Sequence, residues 1–275
     1  MNRFSLEDLK HVSSALVQAG AEEIMPRFGK MTALKMRRKE SAFDVVTEAD
    51  EAAERAIVAV LKAGFPGSTV LGEEAVHKEP RLLEALGSAD LAFVVDPLDG
   101  TKNFASGIPL FGLMAAVVMR GEVVAGVIHD PMAGTVALAR AEGGAWVQDR
   151  SGAREDLRVA PAVAVKDMEG IVGTNFLPEP LRTRVNSNLS RLSMTNWFRC
   201  AAHEYRLAAA GQCHILFYNK LMPWDHAAGW LLHREAGGFS AHFDGSTYLP
   251  THTSGGLLCA PDRGSWEAAR TALLE

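Results

Sequence analysis

Asp96 and Asp99 bracket Pro97-Leu98 and are followed at once by Gly100-Thr101. The run before them, Leu91-Ala92-Phe93-Val94-Val95, reads as a buried strand. Pro97 and Gly100 are expected to stop that strand and begin a turn. Two acids at a strand end, beside amides freed by a turn, can hold a hard cation and a phosphate together. Mg²⁺ takes oxygen ligands and commonly shares its shell with substrate phosphate. The competing reading is a plain surface turn, because Asp-Pro and Asp-Gly are common turn dipeptides.

Other acids also stand at element ends, where functional groups concentrate. Glu73 and Glu74 close the short apolar stretch Thr69–Gly72. Asp225 follows Pro223-Trp224 and precedes a helical pattern of Ala228, Leu231 and Leu232, with Gly237-Gly238 as the stop. Asp50 lies three residues after Thr47, where another helix pattern begins. Spacing alone does not bring these groups together.

The set resembles the inositol monophosphatase family of metal-dependent, lithium-sensitive phosphatases. The resemblance is carried by Lys39 with Asp44-Val45-Val46-Thr47-Glu48-Ala49-Asp50, by Gly72-Glu73-Glu74, and by Asp96 through Phe104. It continues in Trp224-Asp225-His226-Ala227-Ala228-Gly229 and Glu235-Ala236-Gly237-Gly238, in family order and across nearly the whole chain. It implies two or three Mg²⁺ ions. Glu73, Asp96 and the Leu98 carbonyl would hold the first, and Asp96, Asp99 and Asp225 the second. A third, weaker ion would lean on Glu73. Thr101 matches the residue that hydrogen-bonds the attacking water, and Asp50 the acid that orients it; with Glu73 these form the implied catalytic set. Gly100 and Thr101 amides would meet phosphate oxygens, with Asp99 and Asp225 beside the substrate. Lys39 matches an upstream lysine that could neutralise site charge, or is a surface lysine in the basic cluster Met36–Lys39. Glu74 is expected behind the ligands or exposed, and a homodimer is implied.

Two pocket features depart from the inositol-selective pattern. Arg199-Cys200-Ala201 stands where those members carry Gly-Thr-Ala, and Tyr218 stands where they carry a glutamate. Ala201 and Tyr218 would form the pocket wall. Arg199 could meet a second anionic group, pair with Glu204, or sit on the surface. The implied activity is hydrolysis of a small polyol or sugar-like phosphate. Histidinol phosphate and nucleotide 3′-phosphate are the alternatives, and a non-catalytic regulatory binding role is the reading from another class.

A net charge of −5 argues against a nucleic-acid surface, which needs a basic face, but not against phosphate held through metal. Cys200, Cys213 and Cys259 are odd in number and lack metal spacing, so they read as reduced core residues. Met1–Lys10 shows no apolar signal core and no run reaches membrane-span length, so a cytoplasmic protein without a membrane partner is expected. The nine histidines complete no zinc pattern; His226 and His233 are seven apart, not four, and all are read as structural.

Helices are expected over 5–25, with Ser5 as N-cap, and over Thr47–Ala63. Leu113–Met119, Glu122–Ile128, Thr135–Ala141 and Ala145–Val147 read as an antiparallel meander. After a polar break at Asp149–Gly152, strands (Gly170–Thr174, Met194–Phe198, His214–Tyr218, Leu257–Ala260) alternate with helices (Pro180–Leu189, Ala201–Ala210, Asp225–Ala236, Ser265–Leu274). The expected fold class is α+β / α/β: a layered αβαβα sandwich of the sugar-phosphatase type. Residues 1–150 would form an α+β subdomain with most metal ligands, and 151–275 an α/β subdomain with Asp225 and the pocket wall.

Overall fold

The computed structural model describes residues 4–30, 37–38 and 45–275. Helix α1 (Leu6–Ala19) starts at Ser5, whose hydroxyl accepts from the Asp8 amide while the Asp8 carboxylate accepts from the Ser5 amide. Beyond Ala19 the chain continues as a π turn, Gly20–Ile24, and a 3-10 turn, Met25–Arg27. Two short strands, β1 (Arg37–Arg38) and β2 (Val45–Val46), pair antiparallel. Lys39 and the upstream block through Asp44 lie outside the described residues. Thr47 caps α2 (Glu48–Gly64), with Asp50 returning the bond to the Thr47 amide.

The first sheet has seven strands in chain order: β3 (Thr69–Gly72), β4 (Ala92–Asp99), β5 (Gly112–Met119), β6 (Glu122–Asp130), β7 (Thr135–Arg140), β8 (Gly144–Gln148) and β9 (Arg154–Asp156). Only β3–β4 is parallel; the rest is the expected meander. Asp149–Gly152 forms the turn into β9, so this sheet runs on to Asp156. Short helices α3 (Glu73–Lys78) and α4 (Thr101–Ala105) follow β3 and β4 directly.

The second sheet is built from β10 (Glu169–Val172), β11 (Met194–Asn196), β12 (Ile215–Tyr218), β13 (Phe239–Ala241) and β14 (Leu257–Ala260), in the order β11-β10-β12-β14-β13. Strand β10 is parallel to both β11 and β12. Helices α5 (Leu181–Asn188), α6 (Ala201–Ala209), α7 (Pro223–Glu235) and α8 (Arg263–Leu274) complete this half.

Three apolar clusters define the layers. Leu9, Val12 and Leu16 of α1 and Ile57 and Leu61 of α2 pack on Phe93, Val95 and Val127 of the first sheet. Tyr205 of α6 and Leu231 of α7 lie between the sheets, touching Met114 and Ala116 on one side and Leu216 and Cys259 on the other. Val185 of α5 and Trp266, Ala269 and Leu273 of α8 cover the outer face of the second sheet. The order is αβαβα, the expected sandwich. Among the described residues no helix is long and apolar enough to cross a membrane.

Candidate active site

Strand β4 does not end at Val95, as Pro97 leads one to expect; it runs to Asp99 through an irregularity. Asp96 pairs with Met114 and Asp99 with Gly112, so three steps on β4 oppose two on β5. That is a one-residue bulge, a place where a proline without an amide proton fits. The bulge has a chemical consequence. In a regular strand residues three apart face opposite ways. Here the extra residue turns Asp99 back to the side of Asp96, while Val95 and Leu98 share the opposite core. One carboxylate oxygen from each of Asp96, Asp99 and Asp225 then lies within 4.8 Å of the others. Asp225 arrives from the first turn of α7.

Gly100 carries the chain from β4 into α4 at φ +84°, where a side chain would be strained. A Cβ there would also meet the Leu110 carbonyl at 2.8 Å. Thr101 follows, and its Oγ1 lies 2.9 Å from both Asp50 Oδ1 and the Leu98 carbonyl. Asp50 is fixed from the other side: its Oδ2 accepts from the Thr47 amide at 2.8 Å and the Thr47 hydroxyl at 2.5 Å. The capping box of α2 is thus also the support of Thr101.

Glu73 opens α3 and lines the same cleft. Its helix is seated by Glu54 of α2, which accepts the Glu74 amide at 2.7 Å and the Ala75 amide at 2.9 Å. Gly72 permits this approach, since a Cβ there would fall 2.2 Å from the Glu54 carboxyl carbon. Glu74 is buried, with 3% of its surface accessible, which removes the exposed alternative for it.

Asp99 ties the first sheet to the helix layer between the sheets. Its Oδ2 accepts from the Ala202 amide at 2.5 Å, at the start of α6, and from the Cys200 thiol at 3.1 Å. Arg199 sits just before, in the left-handed region at φ +57°. It forms no ion pair with Glu204. Glu204 instead points inward, is 1% accessible, and accepts the Phe198 amide at 3.1 Å. The Tyr218 hydroxyl lies near enough to ease the ionisation of Glu204, yet it completes no hydrogen bond within the protein. Next to Asp225, His226 donates through Nε2 to the Lys220 carbonyl at 2.9 Å, so Nδ1 accepts from the Tyr205 hydroxyl at 3.1 Å. The ring is a neutral brace; burial lowers its pKa to about 4. His129 and Asp130 are structural too: His129 Nδ1 lies 3.1 Å from the Thr135 carbonyl and Asp130 pairs with Arg206 at 2.6 Å.

The electrostatics are those of acids forced together. Burial, then the charge of Glu73, holds Asp96 and Asp225 well above the usual carboxylate range. Burial lifts Asp99 to about 6 against the bonds from Ala202 and Cys200, and lifts Asp50 to about 7 against the bonds from Thr47. Glu204 rises to about 7, again by burial. Desolvated carboxylates that repel one another are a donor set for a hard cation, and all donors are oxygen. Glu73 stands beside the three-acid cluster rather than within its tight radius.

A cavity of about 340 Å³ joins these groups. Glu73, Asp96, Leu98, Asp99, Gly100, Thr101 and Asp225 line one end, and Arg199, Ala201 and Tyr218 line the other. Asp50 stands behind Thr101, 1% accessible. Sequence reading missed Glu54, Phe176 and Trp197, and took Glu204 only as a possible partner of Arg199. Glu54 had one signal, a charge on the apolar face that carries Ala53 and Ile57.

A bulged strand and a helix start converge on three carboxylates in an αβαβα fold of the phosphatase type. The chain belongs to the inositol monophosphatase family, whose sequence model matches residues 5–275. It is 35% identical over 231 residues to the inositol-1-monophosphatase of Mesorhizobium japonicum, covering 79% of each chain. It is 33% identical over 232 residues to the Nus factor SuhB of Pasteurella multocida, covering 81% of this chain and 80% of that one. The crystal structure of the extragenic suppressor protein SuhB from Bartonella henselae superposes with a TM-score of 0.83 at 28% identity, over 96% of this chain and 97% of that one.

Proposed function

We propose that the chain is a Mg²⁺-dependent phosphomonoester hydrolase acting on a small phosphorylated metabolite, of the polyol or sugar-phosphate kind that its family name denotes. One observation carries the reading: the Asp96–Asp99–Asp225 cluster opens onto the same cleft as the Thr101–Asp50 pair. Asp96, Asp99 and Asp225, with Glu73 and the Leu98 carbonyl adjoining, are the groups that would hold the metal. Mg²⁺ bound there supplies positive charge to the phosphoryl oxygens and acidifies a coordinated water.

The chain's own residues then manage one proton. The Thr101 hydroxyl has a single proton and two acceptors, Asp50 Oδ1 and the Leu98 carbonyl. When it donates to Asp50, its Oγ1 lone pairs are open to accept from the attacking water. The water proton passes to Thr101 as the threonine proton passes to Asp50. Burial raises the Asp50 carboxyl above the usual carboxylate range, which makes it a better proton acceptor. Amides of Gly100 and Thr101 are assigned to the phosphate oxygens. Glu54 and Thr47 position Glu73 and Asp50 without touching substrate.

Two or three Mg²⁺ ions, Li⁺ sensitivity, a homodimer and a cytoplasmic setting belong to the same reading as expectations. A second reading, a regulatory binding protein, draws on the relatives named Nus factor SuhB. A phosphate-release panel with and without Mg²⁺ separates the two. Release from at least one small phosphomonoester supports the enzyme; no release from any, alongside a stable protein partner, supports the binding role.

A further inference from the structure

We propose that a second cavity, on the face of α6 turned away from the active cleft, is an effector site for a small zwitterion with an apolar body, of the α-amino acid kind. Ala201 and Glu204 of α6 line the active cleft, whereas His203, Arg206, Leu207 and Ala210, at helical spacing on another face, line the second cavity. It measures about 350 Å³, at the lower end of the roughly 300–1,000 Å³ of small-molecule sites. It exists because the middle layer is short. Helix α6 packs chiefly on β5 and β6 and ends at Ala209, which leaves part of the inner face of β7, β8 and β9 bare beside it. Ala137, Val147 and Glu155 stand opposite one another across those three strands. Ala145, two residues before Val147, packs between the sheets, so this row faces the middle layer. Leu157 and Leu207 complete an apolar floor.

The charges around the cavity sort into pairs, with one of each sign left over. Arg206 donates to Asp130 at 2.6 Å and to the Thr135 hydroxyl at 2.6 Å. Arg154 pairs with Asp156 at 2.8 Å and lies over the Trp146 ring, on the other face of the sheet. Glu155 and Arg158 have no hydrogen-bond or ion-pair partner among the described residues, and both line the cavity. His203 supplies a third group. Its Nε2 lies 3.1 Å from the Phe111 carbonyl and donates to it, which leaves Nδ1 as an acceptor in the neutral ring that burial favours. An ammonium group suits Glu155 and His203 Nδ1, a carboxylate suits the Arg158 fork, and an apolar side chain suits the floor. A singly charged molecule would leave one of the two charges unmatched. The route to the active cleft is short. Ala202, beside His203 in the first turn of α6, gives its amide to Asp99, and Phe111 precedes Gly112, the partner of Asp99 across the bulge. A ligand that takes hold of His203 therefore acts on the placing of Asp99.

Calorimetry of the native protein with L-leucine, L-valine and L-phenylalanine tests the site. The controls are isoamylamine, which lacks the carboxylate, isocaproate, which lacks the ammonium group, and glycine, which lacks the apolar body. At least one of the three amino acids should bind saturably, and each control about tenfold more weakly. Glu155→Gln and Arg158→Gln should each weaken that binding by about tenfold with the melting temperature unchanged, since both side chains are exposed. The bound amino acid should slow amide exchange in β9 and α6. It should also change the Mg²⁺ affinity of the native protein by roughly threefold, and leave that of Arg158→Gln alone. No saturable binding by any of the three, a control that binds as tightly, or binding that neither variant weakens overturns the proposal. Binding in this cavity with Mg²⁺ affinity unchanged overturns the effector role. If the protein binds no Mg²⁺ at all, the phosphatase reading fails instead. Amide exchange then decides this proposal alone, since slowing in β9 and α6 supports it and its absence overturns it.

Discussion

The two ends of the cleft are built differently. The acidic end comes largely from one continuous stretch, Asp96 to Thr101, folded by a strand bulge and a left-handed glycine. The far end comes from three separate loops, after β10, β11 and β12, and from one helix face that carries Glu204. At the acidic end, backbone geometry aims the side chains. At the far end, tertiary packing does. The two parts can therefore be perturbed separately, because a substitution in one of the far loops leaves in place the backbone that aims the acids.

Substitutions can sharpen or break that contrast. The largest effect is expected from Asp96→Asn, which removes a charge from the centre of the acidic cluster. Turnover should fall by roughly three orders of magnitude with the fold intact by circular dichroism; near-native turnover at saturating Mg²⁺ would break the assignment. Thr101→Ala and Asp50→Asn should each cut kcat by roughly a hundredfold with little change in Mg²⁺ affinity. The double variant should lose little more than either single one, because the two groups pass one proton. Fully additive losses would separate them. At the far end effects should be smaller and fall on KM. Tyr218→Phe deletes a buried hydroxyl that lies beside Glu204 without completing a hydrogen bond to it, so stability should hold within about 1 kcal/mol. KM for the preferred ester should rise several-fold, and an unchanged KM would take Tyr218 out of recognition.

A pH scan of the metal-free protein compares the two ends in stability. Asp50 and Glu204 sit at about 7 and Asp99 at about 6, each raised by burial above its unfolded value. Between the unfolded and folded values, the folded state holds protons that the unfolded chain has released. Stability from these groups is therefore full below about pH 4 and is lost as pH rises through 6 to 7. The melting temperature in EDTA should fall by roughly 5 °C between about pH 5 and pH 8. Mg²⁺ should restore more at the higher pH; a rise of melting temperature with pH in EDTA would contradict the assigned burial.

Legibility follows the same division. The meander and the helices showed in the sequence because their apolar periods are clean, as in Gly112–Met119 and in Leu9, Val12 and Leu16. Helix α3 did not, since Glu73–Lys78 is short and mostly polar, and β9 is an exposed edge strand of three charged residues. The acid block Asp96–Thr101 was readable as a site, but not its bulge, because Pro97 reads as a strand stop and only pairing with Met114 and Gly112 shows the strand continuing. Glu204 was read only as a possible partner of Arg199. Its inward course depends on the turn at Phe198–Cys200, with Arg199 left-handed, which presents the Phe198 amide to it. Phe176 and Trp197 follow strands far apart in sequence, and only the parallel pairing of β10 and β11 makes them neighbours.

The most direct test of the central claim is phosphate release measured against Mg²⁺ concentration, for the native protein and for Asp225→Asn, which removes the one clustered acid that α7 supplies. The account predicts no release in EDTA, recovery on adding Mg²⁺, and for the variant a markedly higher Mg²⁺ requirement with a lower plateau. Release that persists in EDTA, or a variant whose Mg²⁺ dependence matches the native curve, would contradict it.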